Sequence, residues 1–350
     1  MLKLLSLFLV ASISLQAELS LEEKVGQLLM VHVASLDDAK VLIQDAHVGG
    51  VIYFRALNSL ERYEDVRAFS QELQSLATIP LLIAVDQEGG RVTHLRGEFT
   101  HPPCNWDVGL TGEPVEAEKI AFMIGSELGA VGINMNLAPV VDVNTNPLNP
   151  VIGNRSFSSL PEEVVRFAKA ALTGYKKAGI ISTVKHFPGH GDTAKDSHHD
   201  LPVVNKPKEQ LFAEELLPFA QLAADADVIM SAHLLVPALD DTNPATFSPL
   251  ILQNLLRDEL GFTGVIISDS LVMEGALKMA TSVENAAITA LNAGCDILLI
   301  AGGFMRKELA EPAAILRVHK ALVEAVESGQ ISQERLDQAV DRILTLKKFA

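Results

Sequence analysis

Ile181-Ser182-Thr183-Val184-Lys185-His186-Phe187-Pro188-Gly189-His190-Gly191-Asp192-Thr193 leads from an uncharged run into a loop punctuated by glycine and proline, and Asp196-Ser197-His198 follows closely. Residues 181–184 read as a short buried strand. Lys185 and His186 then fall where a strand gives way to a functional loop, crowded with titratable side chains.

The same grammar recurs along the chain. Short aliphatic runs at 27–33, 50–54, 81–86, 134–138, 181–185, 228–231, 264–269 and 296–300 alternate with longer amphipathic stretches. Eight strand–helix units predict a closed parallel (β/α)8 TIM-type barrel. Ser248-Pro249 ahead of 250–260, and Ser159 with Pro161 ahead of 162–177, mark helix starts, and Gly261 marks a stop. In 332–348 Leu336, Val340, Ile343 and the stem of Lys347 recur at helical spacing, which predicts an additional C-terminal helix over the barrel. The competing architecture, an open doubly wound sheet, lacks its Gly-rich phosphate turn after the first strand. No linker or break in composition divides residues 18–350, which read as one domain.

Of the 350 residues, 48% are hydrophobic, 21% charged and 5% aromatic, enough to bury a large aliphatic core without any signature of disorder. A net charge of -16, with no cationic cluster longer than Lys347-Lys348, removes the counterion-release term behind nucleic-acid affinity. Cys104 and Cys295 lie far apart without metal-type spacing, so two buried thiols are expected, with one disulfide as the alternative. Met1-Leu2-Lys3, an apolar run to Leu15 and Ala17 before Glu18 have the layout of a secretory signal. Residues 1–17 are therefore expected to direct export, to the periplasm; an apolar arm on a cytoplasmic protein is the alternative. No other run approaches the roughly 20 apolar residues that cross a bilayer.

Catalytic residues of a parallel barrel collect at the C-terminal ends of its strands. Asp86 ends the third run, Asp142 follows the fourth, Lys185 and His186 end the fifth, His233 follows the sixth and Asp269 ends the seventh. Charged residues closing hydrophobic runs are costly to bury unpaired, so their convergence on one rim indicates a site. Each has a plainer reading. Asp269 in Ser268-Asp269-Ser270 suits a nucleophile and equally a helix cap. Asp86 in Asp86-Gln87-Glu88-Gly89-Gly90-Arg91 suits a site whose glycines admit a ligand close to the backbone, or a salt bridge to Arg91. In Asp196-Ser197-His198 a carboxylate can orient an imidazole and raise its basicity, or cap a surface turn. His186, His190, His198 or His199 with Asp192 would be the donors of a metal site, although no helical His pair fixes their geometry.

On the segments Asp86-Gln87-Glu88-Gly89-Gly90-Arg91-Val92, 136–143, Asn154-Arg155-Ser156-Phe157, 185–198 and Ser268-Asp269 with Met273, the chain resembles glycoside hydrolase family 3, specifically its single-domain β-N-acetylglucosaminidases. The resemblance implies a barrel enzyme that removes terminal N-acetylglucosamine with retention, through a covalent glycosyl-enzyme. Asp269 matches the nucleophile, His198 the acid/base and Asp196 its dyad partner. Asp86, Arg155, Lys185 and His186 match residues that hold the sugar hydroxyls. His94 stands at a substrate-contacting position where family members often carry arginine.

The implied substrates are N-acetylglucosaminyl glycosides, either muropeptides in peptidoglycan turnover or chitin-type oligomers, with no cofactor and no metal. An imidazole near pKa 6.5 would replace the carboxylic acid of most retaining glycosidases, and adds no negative charge after giving up its proton. Phosphate could therefore enter as acceptor, which leaves phosphorolysis open beside hydrolysis. The competing classes are a metal-dependent cell-wall amide hydrolase and a sugar-binding protein that keeps a barrel mouth without turnover.

Overall fold

The computed structural model describes residues 19–197, 200–302 and 307–349. The expected leader, 1–17, and His198 lie outside them. Each aliphatic run forms a strand whose residues are buried throughout, the pattern of a parallel sheet covered on both faces. The strands are β1 Leu29–His32, β2 Gly50–Tyr53 and β3 Leu82–Val85, then a hairpin of β4 Gln87–Gly89 and β5 Val92–Thr93, then β6 Met135–Asn136, β7 Ile181–Phe187, β8 Val228–Ser231, β9 Val265–Ser268 and β10 Leu298–Ile300. Parallel pairing runs β10-β1-β2-β3-β6-β7-β8-β9. The N–H groups of Asp296 and Ile297 donate to Ile266 O, and Ser268 N–H donates to Ile297 O. These bonds join β9 to β10 and make the sheet a (β/α)8 barrel.

Two elements differ from the sequence reading. The run at 134–138 shortens to Met135–Asn136 because the chain turns at Pro139, which has no N–H to give a ladder; pairing resumes as a single bridge from Val140 to Lys185. The Gly89-Gly90 pair, expected to admit a ligand, instead turns the β4–β5 hairpin. Gly89 and Gly90 have φ of 102° and 56°, and a Cβ on either would run into Pro103 or Cys104.

The C-terminal helix forms at Gln333–Leu346, where the Ser332 hydroxyl accepts the Arg335 N–H and caps it. It is tied to the barrel through Asp296, a fully buried carboxylate just ahead of β10. Asp296 Oδ2 accepts from Arg257 at 2.6 Å and from Ile266 N–H at 3.0 Å, and Oδ1 accepts from Arg335 at 3.0 Å and Arg342 at 3.1 Å. Burial pushes the Arg257 guanidinium down to about 10, so these cations depend on their shared counter-charge. Asp296→Ala is expected to cost about 3–5 kcal/mol in denaturant unfolding, because it strands buried arginines. A loss under about 1 kcal/mol would mean that the helix is held by apolar packing alone.

Cys104 and Cys295 are buried and unpaired, as expected. Among the described residues no helix is long and apolar enough to cross a membrane.

Candidate active site

The strands end around a cavity of about 260 Å3. Phe54 follows β2, Asp86 follows β3, Lys185 and His186 close β7, Met230 lies on β8, Asp269 follows β9 and Leu299 lies on β10, and all of them line it. Successive strand residues point to opposite faces, yet Lys185 and His186 both reach the cavity. Lys185 pairs with Met230 and Phe187 with Ser231, leaving His186 as the extra residue of a bulge, with a cis peptide between Lys185 and His186. Bulges of this kind re-aim side chains beside active sites.

The residue that organises the charges is Glu88, on β4. Its Oε2 accepts from Arg155 Nε at 2.8 Å, and its Oε1 takes Arg155 Nη2 at 2.8 Å and Lys185 Nζ at 2.7 Å. Burial alone would raise the Glu88 carboxyl, but the adjacent Arg155 and Lys185 outweigh it and hold it well below the usual carboxylate range. Lys185 also reaches Asp86 at 2.5 Å. Burial lowers the Lys185 ammonium, but Asp86 and Glu88 reverse this and raise it above its ordinary value. Asp86 therefore pairs with Lys185, whereas Arg91 donates to the carbonyls of Val151 and Ile152. The Asp86–Arg91 salt bridge allowed by the sequence is not formed.

His186 is held by Asp142, which is fully buried behind it. Asp142 Oδ2 lies 2.7 Å from His186 Nδ1, and Arg155 Nη2 lies 3.3 Å from Nε2. A guanidinium can only donate, so Nε2 accepts and Nδ1 carries the hydrogen given to Asp142. Asp142 thus acts as a support rather than a cavity wall. His94 does line the cavity, with its ring edge-on to Phe54 at 5.3 Å and its Nδ1 accepting the Arg55 N–H at 3.2 Å. Burial lowers its pKa below the ordinary histidine value, favouring the neutral ring.

Asp269 is half-buried on the cavity wall. Its Oδ1 accepts the Ser270 N–H at 2.7 Å, while its own N–H donates to Ser231 O on β8. The Ser270 hydroxyl donates to Ala301 O, at 2.5 Å, so the turn after β9 is fastened to the end of β10. His233, which the sequence also placed on the rim, is fully buried outside the cavity lining, and its Nε2 donates to Ser270 O at 3.0 Å. It packs behind the Asp269 turn. Asp196 is half-buried, and Ser197, which follows it, lines the cavity.

Of the donors of the alternative metal site, His198 and His199 lie outside the described residues, and the other three are engaged. His186 serves Asp142 and Arg155, His190 meets Thr193 and Ser197, and Asp192 meets Thr145 at 3.2 Å and Lys206 at 3.4 Å. Among the described residues no group of three or more His, Cys, Asp or Glu side chains is placed to hold a metal ion.

Sequence reasoning located Asp86, Arg155, Lys185, His186, His94 and Asp269, and all six line one cavity. It gave no role to Glu88, and named His190 only as a donor of the alternative metal site. Glu88 stands two residues after Asp86, and the period of a strand was the available signal that both face one way.

A barrel whose rim gathers carboxylates and cations around one small cavity is an arrangement that suits glycoside hydrolysis. Residues 20–346 match the model of the glycosyl hydrolase family 3 N-terminal domain, and the chain belongs to that family. Beta-hexosaminidase A of Pseudoalteromonas piscicida is 38% identical over 329 residues, 87% of this chain and 54% of that enzyme. Beta-hexosaminidase of Idiomarina loihiensis is 37% identical over 324 residues, 88% of this chain and 95% of that enzyme. A family 3 β-N-acetylglucosaminidase structure from Paenibacillus sp. str. FPU-7 superposes with a TM-score of 0.90 at 44% identity, covering 95% of this chain and 62% of that one. The chain thus spans about half the length of the Pseudoalteromonas enzyme and nearly all of the Idiomarina enzyme.

Proposed function

We propose that the protein is a retaining, exo-acting β-N-acetylglucosaminidase that releases terminal β-linked N-acetylglucosamine from peptidoglycan fragments or chitin-type oligosaccharides. The observation that carries this reading is that Asp269 shares one cavity with Asp86, Glu88, Arg155, Lys185 and His186. At about 260 Å3 that cavity suits a single sugar ring rather than a long oligosaccharide. The N-acetyl preference is taken from the relatives, which are β-hexosaminidases and a β-N-acetylglucosaminidase.

In the proposed reaction an Asp269 oxygen attacks the anomeric carbon as the bond to the glycosidic oxygen breaks. That oxygen takes a proton from His198, which Asp196 orients and holds as the imidazolium. Water then attacks the anomeric carbon of the glycosyl-enzyme and gives its proton to His198, and Asp269 is released. The Ser270 N–H orients the carboxylate, and Lys185, Asp86 and Arg155 fix the sugar hydroxyls by charge-assisted hydrogen bonds strengthened where water is excluded.

Export directed by residues 1–17 would place the enzyme among cell-wall fragments in the periplasm, which fractionation of producing cells tests. Product analysis by mass and NMR, on muropeptides and on chitobiose with and without phosphate, tests the reaction. Free β-N-acetylglucosamine is expected first; a sugar 1-phosphate would mean phosphorolysis, and release of peptide alone would mean an amide hydrolase. His198→Ala is expected to lose about 10²-fold or more in kcat/KM on chitobiose and far less in kcat/KM on activated aryl glycosides, whose leaving groups need little protonation. Equal losses on both substrates would remove His198 from the acid/base role.

A further inference from the structure

His190 lines the cavity but has no part in the reaction just described. It is buried, and its partners lie within its own loop and in the segment that follows β6. Its backbone N–H donates to Asp142 Oδ1 at 2.6 Å, on the same carboxylate that holds the His186 ring. Its Nδ1 meets Thr193 Oγ1 at 2.8 Å, and its Nε2 meets Ser197 Oγ at 3.3 Å. The Thr193 hydroxyl donates to the His190 carbonyl at 3.1 Å and accepts from Asn149 Nδ2 at 3.2 Å. Nδ1 is then left to donate to Thr193, and Nε2 to accept from the Ser197 hydroxyl. Burial agrees with this assignment, since it lowers the ring to about 4 and keeps it neutral.

Ser197 is held from a second side as well. Its carbonyl accepts the Gly275 N–H at 3.0 Å, in the segment that follows Asp269, and a Cβ at Gly275 would stand only 3.0 Å from that oxygen. Three residues further on, Asp200 is bound by Lys195 at 2.6 Å and by Lys278 of that same segment. A run of hydrogen bonds therefore passes from Glu88 through Arg155, His186, Asp142 and His190 to Ser197, the residue whose peptide bond leads to His198.

We propose that His190 and Ser197 are positioning residues: the His190 imidazole holds the Ser197 hydroxyl and so fixes, relative to the sugar-holding cluster, the point from which the chain enters His198. The inference rests on the reading of His198 as acid/base, and it predicts a defect in proton delivery rather than in sugar binding.

The test compares Ser197→Ala with Ser197→Thr, which keeps the hydroxyl, and with His198→Ala as reference, on chitobiose and on an activated aryl N-acetylglucosaminide. Ser197→Ala is expected to lower kcat/KM on chitobiose by about 10²-fold with KM for chitobiose nearly unchanged, while changing kcat/KM on the aryl glycoside, which reports only the first step, by less than about 5-fold. Ser197→Thr should recover most of the loss. The double variant Ser197→Ala/His198→Ala should be no slower than His198→Ala alone, since both changes remove one function. Equal losses on the two substrates, a rise in KM alone, or additive losses in the double variant would overturn the proposal. Should Ser197→Ala fail to fold, as read by thermal unfolding, the same ratio of substrates is measured on His190→Gln. If His198→Ala itself shows no dependence on the leaving group, the acid/base reading fails and takes this inference with it. If His198→Ala shows that dependence and Ser197→Ala does not, only the positioning role is lost.

Discussion

Asp269→Asn is expected to leave a folded barrel whose turnover of N-acetylglucosaminides falls on the order of 10⁴-fold or more, because an amide oxygen cannot form and release the glycosyl ester. The substitution is nearly isosteric at a half-buried position, and Oδ1 can still accept the Ser270 N–H. Thermal unfolding within about 1 kcal/mol of the parent would separate chemistry from stability. Asp269→Gly removes the side chain and opens the face of the sugar that the carboxylate attacked. Azide supplied in excess should then yield the glycosyl azide of inverted configuration. Turnover near the parent level in either variant would show that another group is the nucleophile.

Glu88→Ala is expected to combine a loss of activity of about 10²-fold or more with a loss of stability of about 3–5 kcal/mol. Lys185 keeps Asp86, but Arg155 loses its bidentate partner while its side chain is only 11% exposed. A stranded guanidinium in that position costs far more than a surface charge would. The pH dependence has a definite sign. The Glu88 carboxyl is held below its unfolded value, so its contribution is fully present above about pH 4.3 and is lost as pH falls through the folded value. Denaturant unfolding of parent and variant should differ by a constant amount from pH 7 to about 4.5, and the gap should narrow only in stronger acid. A gap that closed between pH 7 and 5 would mean that Glu88 does not carry its charge in the folded protein.

The barrel was legible because parallel strands bury both faces and so read as unbroken aliphatic runs. The run at 228–231 forms β8 over those same residues, and the C-terminal helix begins beside the serine that caps it. Charged residues at the ends of such runs located most of the cavity lining. The partners of those residues were not legible. Arg91 lies five positions from Asp86 and made the obvious mate, but the amine that Asp86 meets comes from Lys185, 99 positions along the chain. The contacts of His190 were hidden for a similar reason, since its backbone N–H is received by Asp142 from the segment after β6, 48 positions earlier.

Residue order alone determined the elements, their parallel alternation and the rim on which reactive side chains gather, because burial of strands and capping of helices act over a few neighbours. Only the closed barrel decided which charges meet. An ion pair is fixed by distance and desolvation, and Asp86 and Lys185, 99 positions apart at the ends of strands separated by β6, meet only where the sheet curves and their side chains converge. That closure made Glu88 the shared counter-ion of Lys185 and Arg155, and brought Gly275, in the segment that follows Asp269, up against Ser197.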